Sequence, residues 1–172
     1  MNAQAATPGV LAEARWPEPG DGAPPPLPGF VHSTFHPLAA AVAERCLTRR
    51  YGERPAPPQV RCAVVLASVA GDRPSAEHVR ATVDAGGRIG PLFFFQSVSN
   101  SVAGHIAARW GLHGPVVCLS TTEDLRADAT AAAELLLYDG DADEALLVLI
   151  EQASDGTPTG AVAMLMGGGT GS

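Results

Sequence analysis

This sequence is short of charge, of aromatic side chains and of cysteine chemistry, and each shortage closes off a class of function. Only 17% of its 172 residues are charged and 5% are aromatic. The 11 basic residues form no cluster and face 18 acidic ones, giving a net charge of -7. A phosphate backbone or an anionic bilayer would find nothing to grip, so neither nucleic acid nor membrane is expected as a partner. Three cysteines are present, Cys46, Cys62 and Cys118, with no Cys-x-x-Cys pair among them. Cys62 and Cys118 stand inside apolar, strand-like runs where a reduced thiol behaves as a small hydrophobe, so no redox role, metal or cofactor is expected. The longest apolar run, Ala145 to Ile150, is far too short to cross a bilayer. Residues 1 to 20 lack the basic start and apolar middle of a secretory signal, which makes the cytoplasm the expected location.

Several familiar sites are missing as well. The glycine-rich "GDGAPPPLPG" and "GGGTGS" do not join a strand to a helix, and no Gly-Lys-Ser/Thr occurs, which excludes a phosphate loop. "DGDAD" has neither the twelve-residue spacing nor the terminal glutamate of a calcium loop. No serine lies in Gly-x-Ser-x-Gly, so esterase chemistry is not expected.

What the chain does have is apolar residues, 46% of the total, enough for one core of ordinary domain size. Residues 1–29 read as a Pro/Gly-rich leader with room for one edge strand at 10–16, anchored by Trp16. "FHPLAAAVAERCL" (Phe35 to Leu47) predicts a helix with Pro37 in its first turn. "RCAVVLASVAG" (Arg61 to Gly71) predicts a strand covered on both faces. "PSAEHVRATVDAG" (Pro74 to Gly86) predicts a helix capped by Ser75. From Phe93 the chain should begin extended and become a helix as far as Trp110, with Ser97, Ser101 and Gly104 spaced so that one face can approach another backbone closely. Strand "VVCLS", a helix from Glu123 to Tyr138, strand "ALLVLI" and strand "AVAMLM" follow, and residues 167–172 read as a flexible tail. Fully apolar strands alternating with helices imply an α/β fold, a mainly parallel sheet with helices on both sides.

The segment "STTE", Ser120 to Glu123, is the most informative. It has the form of a capping box, in which Ser120 caps the helix and Glu123 reaches back to an exposed backbone N–H, beside Thr121 and Thr122. The helix it opens carries alanine and leucine round nearly its whole circumference, ending in Leu135, Leu136, Leu137 and Tyr138; only Thr130 and Glu134 form a thin polar stripe. A helix apolar on every side needs cover on every side. One sheet supplies one flank, so another polypeptide is expected on the other.

Three quoted segments, in order, resemble the N-terminal half of a β-ketoacyl synthase of the thiolase superfamily. "SVSNSVAGHIAARWGLHGP", which includes Asn100, is similar to the family's Ser/Asn helix with its Asn-x-x-x-Gly-His-Ile-Ala core. "GPVVCLSTTEDLRADATAAAELLLYDGDADEALLVL" is similar to the strand, nucleophile turn, buried helix and next strand. "TGAVAMLM" resembles the strand that closes that half. The resemblance spans residues 30–166 and implies half of a thiolase-like fold. It places Glu123 where the family keeps its nucleophilic cysteine, and glutamate cannot carry an acyl chain as a stable thioester. The assisting histidines of the family lie in a C-terminal half that has no counterpart here, and His32, His36, His78, His105 and His113 match none of them. No catalytic residue is therefore expected.

Short ketosynthase-like proteins and the chain-length factors of type II polyketide synthases show the same loss, although chain-length factors usually carry glutamine at this position. The implied role is a non-condensing subunit that pairs with a full-length ketosynthase in polyketide or fatty acyl assembly, with acyl carrier protein as a second candidate partner. Ser97, Asn100, Ser101, Gly104, Leu135, Leu136, Leu137 and Tyr138 are the packing or interface candidates. Two alternatives stay open: a self-dimerising regulatory or binding module, and an independent acyl-thioester enzyme using Glu123 as its acid or base.

Overall fold

The computed structural model describes residues 8–121 and 124–168. One five-stranded sheet organises them, in the order β1-β5-β4-β2-β3. β2 (Cys62–Ser68) is buried at all seven positions, and β4 (Glu144–Gln152) and β5 (Pro158–Gly167) are nearly as enclosed. Their apolar runs do not alternate because both faces are covered. On one face Val64, Leu66, Leu146 and Val148 pack with α1 (Phe35–Tyr51) and α4 (Asn100–Trp110). On the other, Ala63, Val65, Ala67 and Leu147 meet Ala129 and Ala133 of α5 (Leu125–Tyr138).

Parallel pairing joins β2 to β3 (Val116–Ser120) and β2 to β4. β5 runs the other way because a short turn at 153–157 folds it back on β4 as a hairpin. β1 (Gly9–Trp16) then pairs antiparallel with β5, so the sheet is mixed, with β5 the single reversed strand. The following segment, 17–29, is irregular but fixed: Arg45 forms a fork on Asp21 at 2.8 and 2.9 Å, Arg49 holds Glu18 at 2.9 Å, and the Arg45 guanidinium lies 4.2 Å from the Trp16 ring centroid.

Three local expectations are corrected. The stretch expected to be extended at Phe93 is a short helix, α3 (Pro91–Gln96), with Pro91 at its first position. α2 runs Arg73–Asp84 and is capped by Asp72, whose carboxylate accepts the Ser75 N–H, rather than by Ser75. Cys118 is exposed, because β3 is an edge strand and its Val116, Cys118 and Ser120 side chains are not covered; Cys46 and Cys62 are buried, and burial pushes both thiols up to about 12. α5 is covered by the sheet on one flank only: on the other, Leu135 is 59% and Tyr138 78% exposed.

Glycine is required where β3 begins. A Cβ on Gly114 would lie 2.5 Å from Ala63 N, so only a bare backbone lets the chain turn in beside β2.

Candidate functional site

The turn between β3 and α5 sits at the C-terminal ends of parallel strands, the edge where open α/β sheets place their chemistry. Its entry is fixed by β2. Ser68 pairs with Ser120 in register, the Thr121 N–H donates to Ser68 O at 3.2 Å, and the Ser120 hydroxyl donates to Val69 O at 3.1 Å. Ser120 is thus drawn into the strand and does not cap the helix. Asp124 does so instead: its Oδ1 accepts the Ala127 N–H at 2.9 Å. Thr122 and Glu123, the centre of the expected capping box and the nucleophile position, lie outside the described residues; Thr121 is buried. Asp124→Ala is expected to cost about 1 kcal/mol of stability through loss of this cap, measurable as a lowered midpoint in thermal or urea unfolding.

A polar network braces the neighbouring loops. The Gln152 side chain donates to Gly71 O at 2.7 Å and Gly156 O at 2.8 Å, and accepts from Ala70 N at 2.9 Å, tying the end of β2 to the β4–β5 turn. Beneath lies a buried pair, His36 Nε2 and Asp72 Oδ2 at 3.1 Å, close in distance but oblique in direction; His36 Nδ1 has no partner among the described residues. Burial raises the Asp72 carboxyl, but the polar His36, Ser75 and Ser33 groups around it outweigh burial and hold the group below the usual carboxylate range. Asp124, Gln152 and the His36–Asp72 pair are absent from the expected site. Asp124 alone had a local signal, being an acidic residue three places before a free helix N–H.

The interface candidates do not form one buried cluster. Ser97 and Ser101 are half-buried, their hydroxyls donating to Phe94 O and Phe95 O. Asn100 and Gly104 are exposed on α4, and a Cβ on Gly104 would touch nothing. α4 turns Val102, Ala103, Ile106 and Trp110 to the core instead, so no backbone among the described residues packs on Gly104 of the small-residue face. On α5, Leu136 and Leu137 are half-buried beside exposed Leu135 and Tyr138. Exposed Leu92, Phe94 and Phe95 of α3 add further uncovered apolar surface. No group of three or more His, Cys, Asp or Glu residues suited to a metal occurs among the described residues, and none of the described helices is long and apolar enough to span a membrane.

A mixed sheet with helices on both faces, a helix-opening turn at the end of an edge strand, and one helix left open define an open α/β domain. A family model described as beta-ketoacyl synthase, N-terminal domain, matches residues 39–157, well over half of the chain, and the chain belongs to that family. Solved structures agree on the fold. One is a ketosynthase in complex with its chain length factor from Xenorhabdus doucetiae, with TM-score 0.70, 19% identity, and coverage of 96% of this chain and 80% of that one. Another is the ishigamide ketosynthase/chain length factor, with TM-score 0.75, 16% identity, and coverage of 96% and 63%. A third is a type II polyketide synthase acyl-carrier protein in complex with its ketosynthase bound to the hexaketide, with TM-score 0.66, 12% identity, and coverage of 96% and 64%. The chain thus spans less than two thirds of the latter two. No curated protein sequence matches it.

Proposed function

We propose that this protein is a non-condensing, chain-length-factor-like subunit that pairs with an active ketosynthase in polyketide or fatty acyl assembly. The observation that carries the reading is the open apolar flank of α5, where Ala129 and Ala133 meet the sheet while Leu135 and Tyr138 face outward. Large exposed apolar patches mark surfaces meant for a partner. The unpaired edge of β3 supports the same reading, since its free backbone N–H and C=O groups can accept a strand from another chain. Glu123 at the family's nucleophile position supports the non-condensing part, and the similar structures named for ketosynthase and chain length factor together support the choice of partner. Acyl carrier protein is a further candidate partner on the strength of the third likeness.

Co-expression with a ketosynthase from the same gene neighbourhood tests this. The expected result is a stable one-to-one complex on size exclusion, with malonyl-thioester turnover by the pair and none by this chain alone. Turnover by this chain alone that is lost in Glu123→Gln would instead support the independent enzyme. A chain that stays a dimer of itself and ignores the ketosynthase would support the self-dimer. In such a dimer, antiparallel pairing of two β3 edges would bring the central Cys118 of each copy face to face, and oxidative cross-linking would report it.

A further inference from the structure

The polyproline segment and the two helices it crosses enclose a groove remote from the β3–α5 turn. Its volume is about 360 Å³, within the range of small-ligand sites. One wall is Pro25, Pro26 and Pro28, the opposite wall is Pro37, Ala40 and Ala41 of α1, and Ile106 and Trp110 of α4 line it too. The proline wall is preformed, because the Arg45–Asp21 and Arg49–Glu18 pairs pin its base to α1 and the Trp16 indole donates to Gly22 O at 3.2 Å.

The polar groups gather around Glu44. Its Oε2 accepts from Trp110 Nε1 at 2.9 Å and from Arg109 Nε at 3.1 Å, and its Oε1 lies 3.2 Å from Arg54 Nε. One carboxylate therefore serves two guanidinium groups, and Arg109 hydrogen-bonds it through Nε alone. The Arg109 side chain is 44% exposed, and its terminal amino groups make no hydrogen bond to a described residue, so they face water and are open to a carboxylate that a guanidinium can grip with two parallel bonds. The other acid nearby, Glu53, lines an adjoining cavity beyond Glu44 and Trp110. His105 also lines the groove; burial, then the Arg109 charge, lowers its pKa, so it adds no second positive charge at neutral pH.

The geometry points to a binding site for a small apolar carboxylate, whose chain or ring lies between the proline wall and the alanine face of α1 while its carboxylate meets the free edge of Arg109. Apolar walls alone would accept any greasy molecule; the water-facing edge of the Arg109 guanidinium selects the anion.

Hexanoate is the probe, with hexylamine and hexan-1-ol as head-group controls and acetate as the chain control. The indole N–H resonance of Trp110 is the readout, followed by NMR on the full chain. Hexanoate should shift it saturably, along with the Ala40 and Ala41 amides, while hexylamine and hexan-1-ol bind at least about tenfold more weakly, the cost of losing one charge-assisted contact, and acetate at least about tenfold more weakly through loss of the buried chain. Arg109→Gln should weaken hexanoate binding by a similar factor with the helical circular dichroism unchanged. Ala41→Leu, which fills the slot without touching the charge, should abolish it. Equal response to hexylamine, no saturable shift in the wild type, or unchanged binding in both variants would overturn the assignment. Because the groove lies outside the β3–α5 turn, the result is independent of whether the chain pairs with a ketosynthase.

Discussion

Leu135→Asp combined with Tyr138→Asp is expected to leave the isolated chain folded and to weaken the proposed complex with a ketosynthase by about 30-fold or more. Both side chains project from the last turns of α5 and are largely exposed, so removing them empties no part of the core. Surface substitutions of this kind usually change stability by less than about 0.5 kcal/mol. At an interface the balance differs, because each aspartate would have to lose its water against an apolar partner surface without a compensating charge. Size exclusion and calorimetric titration of the co-expressed pair measure the effect, and thermal unfolding of the free variant is the control. An unimpaired complex would remove α5 from the interface. The control pair Ala129→Asp and Ala133→Asp should act in the opposite sense and unfold the chain, since these two alanines are the fully buried residues of α5 against the sheet.

The second large effect concerns Asp72. Asp72→Ala should lower stability by about 3–5 kcal/mol, because it breaks a buried pair, removes the cap of α2 and strands the His36 ring with no partner at either nitrogen. Asp72→Asn separates the contributions, since an amide oxygen can still accept the Ser75 N–H while the charge is gone. The pH dependence has a definite sign. The Asp72 carboxyl is held below its ordinary range in the folded chain. Its stabilisation is therefore fully present above the unfolded value, near 3.9, and is lost as pH falls through the folded value. Urea unfolding at pH 7 and in steps below pH 4 should show the gap between wild type and Asp72→Asn narrowing toward acid. A gap that stays constant down to pH 2 would mean that the carboxylate charge contributes nothing.

The strands were readable because their cause is local. A run such as "CAVVLAS" cannot be solvated and is too short and β-branched for a helix, so it belongs inside a sheet. The same holds for the end of α4 at Gly111, which adopts the left-handed conformation with φ 67°. The caps were misread because two good capping residues stood within one turn of each other: Ser120 and Asp124 compete for α5, and Ser75 and Asp72 for α2. Pairing with β2 removes Ser120 from the first contest. Proximity to His36 and Ser75 settles the second for Asp72. Gln152 gave no sign at all, since its three contacts are to backbone atoms of the loops at 70–71 and 156.

By itself the sequence determined the alternation of apolar strands and helices, the place where β3 gives way to α5, and a helix with too few polar residues to stand alone in water. Those properties depend on neighbours within a few residues, where periodicity and side-chain chemistry act directly. Only the tertiary structure decided which strand lies at the edge, and hence that Cys118 is open while Cys62 is sealed. It also brought His36 to Asp72 and folded the proline segment against α1 to leave a groove. Such outcomes depend on strand order and on contacts between segments far apart in the chain, which no local pattern encodes.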